Sequence, residues 1–144
     1  MGEITLRVRN LRIAFDTPIG MVSVGDGTNF DIESGQILAI VGESGSGKSM
    51  TALAIMGLLP SAAEVSGSIE LTGREISDLS DNELEDVRGA EMGMVFQEPM
   101  TSLNPVLTVR RQMTEGLIRH RRLSRSAAEV IATSALSEVE MTDP

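Results

Sequence analysis

Residues 36–56 place three different demands on the backbone in immediate succession. Gln36 leads the apolar run Ile37-Leu38-Ala39-Ile40-Val41, of strand length; Gly42-Glu43-Ser44-Gly45-Ser46-Gly47-Lys48 is a glycine-rich turn; and Ser49-Met50-Thr51-Ala52-Leu53-Ala54-Ile55-Met56 reads as a helix. Gly42, Gly45 and Gly47 permit positive φ and leave no Cβ in the way, so successive backbone N–H groups can turn inward as an anion nest. The following helix adds a partial positive charge of roughly half a unit at its N-terminus. Lys48 is the only lysine in the chain, the other eleven cations being arginine. Its compact ammonium can reach the β- and γ-phosphates of a nucleotide, and the neighbouring Ser49 hydroxyl can ligate Mg²⁺. Gly42 to Ser49 is therefore a phosphate-binding loop in the strand-loop-helix setting that it requires. A chance match of its four fixed positions is expected in roughly one chain of this length in several hundred.

The 144 residues, 41% hydrophobic, have the length of one domain with a real core. With three Phe, no Trp and no Tyr, aliphatic and methionine side chains must fill that core. The absence of cysteine excludes disulfides and thiolate metal sites and suits a reducing cytoplasm. Met1-Gly2-Glu3 leads straight into a strand pattern rather than a signal peptide, and no apolar run approaches the ~20 residues needed to span a bilayer, so a soluble chain is expected. A net charge of −9 argues against a nucleic-acid backbone as main partner. It does not argue against the phosphate loop, because exposed charges beyond about 8 Å are largely screened. Six of the twelve cations, Arg110, Arg111, Arg119, Arg121, Arg122 and Arg125, fall in one stretch. The simplest reading is the solvated face of a helix, with a contact to another subunit or to lipid head groups as the sharper alternative.

Before the loop the chain alternates like strands. Ile4, Leu6 and Val8 share one phase and Leu11, Ile13 and Phe15 the other, with a turn or bulge near Asn10. Thr17-Pro18-Ile19-Gly20 reads as a hairpin connection, and Phe30-Asp31-Ile32 as a strand ending in the turn Glu33-Ser34-Gly35. Gly57 and Pro60 stop the loop helix, Ser68 to Leu71 is a short strand, and Ser80 with Glu83 forms a capping box that opens a helix through about Arg88. Met92 to Phe96 reads as a buried strand delivering Gln97 to a loop, a common site position in open α/β sheets. Thr108 caps a helix through Met113 and Leu117, and Ser124 caps a last one with Val130, Ile131 and Leu136 on its apolar side. The fold class is α/β with no internal repeat.

Ile40 to Ser49, taken with Val95-Phe96-Gln97-Glu98-Pro99-Met100-Thr101-Ser102-Leu103-Asn104-Pro105, resembles the ATP-binding subunits of ABC importers. Within them the chain is most similar to the oligopeptide/dipeptide group, which also takes in nickel. The second segment is an extended glutamine-loop motif and is the more specific of the two. The resemblance implies a P-loop NTPase core of ABC type. Residues 1–35 and 61–75 would form mainly an antiparallel β subdomain, 36–60 and 90–97 the nucleotide-binding core, and 98–144 the glutamine loop and the start of a helical subdomain. It implies ATP and Mg²⁺ as cofactors, bound by Gly42, Glu43, Ser44, Gly45, Ser46, Gly47, Lys48, Ser49 and Met50. Ser49 and Gln97 would contact the metal. Gln97 matches the loop glutamine whose amide ligates Mg²⁺ or the attacking water, and with Lys48 it would serve catalysis. Phe15 falls where the family stacks an aromatic ring on adenine, although a lone Phe at a strand end is also ordinary core. Met113 and Leu117 are core before they are partner surface. His120, in a basic run, is expected at the surface and does not match the family's switch histidine. Ser102 to Pro105 would line the groove that receives a transmembrane subunit's coupling helix.

The implied function is to power a peptide-type importer by ATP binding and hydrolysis, peripheral on the cytoplasmic face of the membrane. The implied partners are transmembrane importer subunits, a second ATP-binding subunit and, indirectly, a substrate-binding protein. Family members are roughly twice this length and continue into a Leu-Ser-Gly-Gly signature, an apolar strand ending in Asp-Glu and a switch histidine. None occurs here, and the chain ends at Asp143-Pro144 before the signature would begin. Thr28 stands where the family shows an aliphatic residue. Because phosphoryl transfer depends on charges positioned around the γ-phosphate, this chain alone is expected to be inactive as an enzyme and to expose an apolar edge. The alternative is a non-hydrolysing nucleotide-binding fragment or interaction module. Cytosolic ABC ATPases of DNA repair or translation fit less well, since their loop insertions differ from Thr101 to Pro105.

Overall fold

The computed structural model describes residues 2–98 and 102–141. The chain divides into two compact units, Met1–Glu85 and Asp86–Pro144. The first is built on a four-stranded antiparallel sheet of order β2-β1-β3-β4, with β1 Ile4–Thr17, β2 Gly20–Glu33, β3 Ala63–Leu71 and β4 Arg74–Glu75. Strands β1 and β2 meet through the expected connection: Thr17 pairs with Gly20, its hydroxyl donates to the Gly20 carbonyl at 2.6 Å, and Gly20 has a φ of 107°. The phase change near Asn10 is a bulge. Strand β1 slips register there against both neighbours, and Asn10 sits at φ 49°. The slip puts Val8, Leu11 and Ile13 together in the core, with Ile69, Leu71 and Ile76. Gly67 of β3 faces this bulge so closely that a Cβ on it would lie 2.6 Å from the Asn10 carbonyl oxygen. Thr28 is half-buried opposite Leu11.

Charged cross-strand partners fix the register on the wet face. Arg7 lies in register with both Asp31 and Glu70 and pairs with them at 3.7 and 3.1 Å, while Arg9 reaches Asp31 at 2.7 Å. The hydrogen bond from Arg9 holds the Asp31 carboxyl below its ordinary value. Strand β4 is too short to hold itself and is fastened through a side chain. The Glu75 carboxylate accepts from the Ile69 N–H at 2.9 Å, the Ser77 N–H at 3.2 Å and the hydroxyls of Ser68 and Ser77. Burial pushes this carboxyl up, but the hydrogen bonds outweigh burial and hold it down at about 2.

Helix α1, Lys48–Ile55, ends at Met56 before Gly57, whose φ is 62°. Helix α2, Asp81–Val87, opens on half of the expected capping box. The Glu83 carboxylate accepts from the Ser80 N–H at 2.9 Å, but the Ser80 hydroxyl also donates to it, at 2.6 Å. In the second unit, α3 (Val109–Arg121) and α4 (Arg125–Glu138) start where expected: Thr108 and Ser124 accept from the N–H of Arg111 and Ala127, each at 3.3 Å. The buried face of α4 differs from expectation. Ala128 and Ala132 are buried, whereas Val130 is 70% exposed and Ile131 is also exposed. Small side chains at i and i+4 let α3, with its buried Thr114, pack close, and the bulkier pair is left to either side. His120 is half-buried rather than at the surface, its ring against Gly89.

Two expected strands do not form. Residues 36–41 and 93–96 carry no strand pairing, and Ile37, Val41 and Val95 are 98%, 88% and 97% exposed. A strand exists through hydrogen bonds to a neighbour, and among the described residues no strand pairs with either segment. Apolar, β-branched composition marks a segment as sheet-forming without supplying that neighbour.

Candidate functional site

The loop between residue 41 and α1 is shaped by its glycines for three different reasons. Gly45 and Gly47 have left-handed backbone, with φ 82° and 88°. Gly42 lies outside that region, and of the two expected reasons for glycine only the missing Cβ applies, because a Cβ there would sit 2.7 Å from the Ser46 hydroxyl. At Gly47 a Cβ would also collide with the carbonyl oxygen of Val24, so strand β2 backs directly onto the loop. The Ser46 N–H donates to the Glu43 carbonyl at 3.2 Å, closing the turn. Thr51, buried on α1, donates both its N–H (2.8 Å) and its hydroxyl (3.1 Å) to the Gly47 carbonyl.

Gly47 is the N-cap of α1 and, having no side chain, leaves the first-turn N–H groups uncapped by one. Lys48 arches back from the first helical position across the loop. Its ammonium donates to the Gly42 carbonyl at 2.9 Å, the Glu43 carbonyl at 2.6 Å and the Ser46 hydroxyl at 3.2 Å. A unit positive charge is thus held against the mouth of the loop, beside the positive end of a helix. Glu43, Ser44 and Ser49 are exposed, and Met50 is half-buried. Phe15 is half-buried on β1 opposite Val22 and Ala63. Val22 precedes Val24 by two residues, about 7 Å along β2, so Phe15 lies at the sheet end that carries the loop.

Gln97 is exposed and belongs to the second unit. Pro99, Met100 and Thr101 lie outside the described residues. Beyond them Asn104 closes a turn, its side-chain oxygen accepting from the Val106 N–H at 2.9 Å. Gln112 of α3 holds the same backbone. Its Oε1 accepts from the Asn104 N–H at 2.7 Å, and its Nε2 donates to the carbonyls of Asn104 (2.9 Å) and Leu107 (3.0 Å). Four arginines of the run, Arg110, Arg111, Arg119 and Arg125, border a cleft of about 910 Å³ on α3 and α4. Arg110 pairs with Glu129 at 3.5 Å, Arg111 with Glu115 at 3.9 Å and Arg119 with Asp86 at 3.3 Å. These pairs fit the solvated-face reading, and exposed pairs of this kind stabilise little. Met113 is half-buried and, with Ala132 and Leu136, lines a cavity of about 410 Å³ that Arg110 and Glu129 also border, in keeping with a packing role.

Sequence reasoning missed Val24, Thr51 and Gln112. A backbone carbonyl leaves no sequence signal, so Val24 could not have been found. Thr51 stands four residues after Gly47, a spacing at which a helical hydroxyl reaches back to a carbonyl. Gln112 is a polar residue in the first turn of a helix that follows Asn-Pro, and its signal is correspondingly faint. Among the described residues no helix is long and apolar enough to cross a membrane.

The sequence model of the ABC transporter family matches residues 26–144. The dipeptide transport ATP-binding protein DppD of Bacillus subtilis is 46% identical, over 99% of this chain and 43% of its own length. The oligopeptide transport ATP-binding protein OppD of Escherichia coli is 44% identical, over 99% of this chain and 42% of its own. The chain thus spans less than half the length of these curated relatives. Among solved structures, the dimeric MJ0796, a bacterial ABC transporter cassette, superposes with a TM-score of 0.81 at 26% identity, covering 96% of this chain and 58% of that one. The post-hydrolysis state of that cassette bound to ADP and Pi gives a TM-score of 0.80 at the same identity and coverage. A glycine-shaped loop with its lysine held across it, and matches of fold and sequence over nearly the whole length, lead to one conclusion: the chain belongs to the ABC transporter family.

Proposed function

We propose that residues 42–50 bind the phosphates of Mg-ATP and that the chain is the phosphate-binding part of an ATP-binding subunit powering a peptide-type importer. The observation that carries this reading is Lys48, whose ammonium is anchored on the Gly42 and Glu43 carbonyls over an uncapped helix start. There a phosphate meets a positive point charge and the positive end of a helix together. Ser49, exposed beside Lys48, supplies a hydroxyl to Mg²⁺, and the Gln97 amide is a further ligand to the metal or to the attacking water. Phe15, at the loop end of the sheet and half-exposed, offers a ring face to adenine.

In this reading residues 36–60 and 90–97 serve the nucleotide-binding core, residues 1–35 and 61–75 the β subdomain, and residues 98–144 the glutamine loop and the start of a helical subdomain. Ser102 to Pro105 line the groove for a transmembrane subunit's coupling helix. The assembly includes a second ATP-binding subunit, sits on the cytoplasmic face of the membrane and takes cargo from a substrate-binding protein. Residues 1–144 contain no Leu-Ser-Gly-Gly signature and no apolar run ending in Asp-Glu, so these residues alone bind nucleotide without turning it over.

Calorimetric titration of Mg-ATP and ADP into the chain, with Lys48→Ala as the paired variant, tests this. Saturable binding that weakens about tenfold or more without the ammonium is expected, equivalent to ~1.4 kcal/mol. Binding unchanged by Lys48→Ala would contradict the assignment, and steady-state ATP turnover abolished by that substitution would contradict the absence of hydrolysis.

A further inference from the structure

We propose that Gln112 is a positioning residue that locks the Asn104–Leu107 backbone to the first turn of α3, so that loop and helix move as one body. A glutamine amide presents a donor and an acceptor side by side, as a peptide group does. Gln112 uses both on one residue: Oε1 takes the Asn104 N–H at 2.7 Å and Nε2 gives to the Asn104 carbonyl at 2.9 Å. A third bond, from Nε2 to the Leu107 carbonyl at 3.0 Å, ties down the other end of the turn. The loop is braced internally as well, by the Asn104 side chain on the Val106 N–H (2.9 Å) and by the Leu107 N–H on the Asn104 carbonyl (3.2 Å). Gln112 is in turn fixed to the cap of α3, since its N–H donates to the Thr108 carbonyl at 3.2 Å.

Short exposed loops of this kind ordinarily move independently of the helix that follows. Here a displacement of residues 104–107 must either break three hydrogen bonds to one side chain or carry α3 with it. The inference deepens the importer reading, on which its functional meaning rests: a push from a transmembrane partner on this loop reaches α3 undiminished. The lock itself is independent of nucleotide and partner.

Amide hydrogen exchange measured by NMR on the whole chain, corrected for intrinsic rates, tests it with two variants. In Gln112→Ala the Asn104 amide should exchange about tenfold faster or more, while α3 amides from Thr114 onward keep their protection. Gln112→Glu preserves the shape and the acceptor for the Asn104 N–H but, when ionised, turns its second oxygen on the Asn104 and Leu107 carbonyls, and these two repulsions outweigh the one bond that is kept. Asn104 protection should be lost at neutral pH and return as pH falls through the carboxyl range near ~4.3, where the acid regains a donor. If the alanine variant loosens all of α3, the acid variant alone decides, because a merely structural defect would show no such return. Unchanged Asn104 exchange in Gln112→Ala, or no recovery of Gln112→Glu at low pH, overturns the proposal. Failure of nucleotide binding at Lys48 would leave these outcomes unaffected.

Discussion

At Gly47 a backbone requirement and a steric one coincide: a φ of 88° and the Val24 carbonyl lying where a Cβ would go. Gly47→Ala is therefore expected to destabilise the first unit by ~2–3 kcal/mol, read as a lower urea midpoint with unchanged slope. An unchanged midpoint would mean that β2 does not back the loop. That a glycine is needed at this position was legible from the motif, but half of the reason was not, since nothing in a sequence announces which carbonyl will stand behind it. Gly42 teaches the converse, because its φ is not positive and only the other expected reason holds there, the missing side chain leaving room for Ser46. Glu75 makes a pH-dependent prediction. Its folded value of about 2 lies below the ordinary 4.5, so its stabilisation is complete above about 4.5 and disappears as pH falls toward 2. Comparing Glu75→Ala with the parent by urea denaturation should show a difference of about 1 kcal/mol, discounted for exposure, at pH 6 and a much smaller one at pH 2.5. A difference independent of pH would remove the carboxylate from the account.

Among the elements, the β1 bulge shows what a phase change in a sequence can reveal. The shift between Val8 and Leu11 was readable because alternation breaks there, and the structure turns it into a slip against both neighbours. The partner's response was not readable: Gly67 on β3 gives way to the bulge, with the Asn10 and Arg9 carbonyl oxygens 2.6 and 2.7 Å from where a Cβ would be. Gly67→Ala should accordingly cost ~3 kcal/mol or more in thermal or urea unfolding. Gly73→Ala, at φ 81° with open space around it, should cost only ~1–2 kcal/mol. Equal costs would mean that backbone strain alone, and not the close approach, governs Gly67. Helix starts were legible for a local reason, since Thr108 and Ser124 cap with their own side chains. The packed face of α4 was misjudged because apolar residues were weighed by size, whereas close helix packing selected Ala128 and Ala132.

For the whole molecule, the segments around Ile37 and Val95 are apolar, unpaired by any strand among the described residues, and exposed, a combination that invites pairing with other chains. Light scattering is expected to show self-association that grows with concentration and that Ile37→Lys with Val41→Lys suppresses; a monomer at every concentration would contradict it. Strand character was legible here in composition alone, but a sheet is a relation between segments, and composition is silent about neighbours. The shape of the glycine loop was legible because its determinants are local: each glycine, the ammonium and the helix start lie within a few residues of one another. The most direct test of the central claim is therefore local too. An amide NMR titration with Mg-ATP should give saturable shifts centred on Gly45, Gly47, Lys48 and Ser49, lost in Lys48→Ala. Shifts absent from those residues, or confined to the arginines from Arg110 to Arg125, would contradict the assignment of the loop as the nucleotide site.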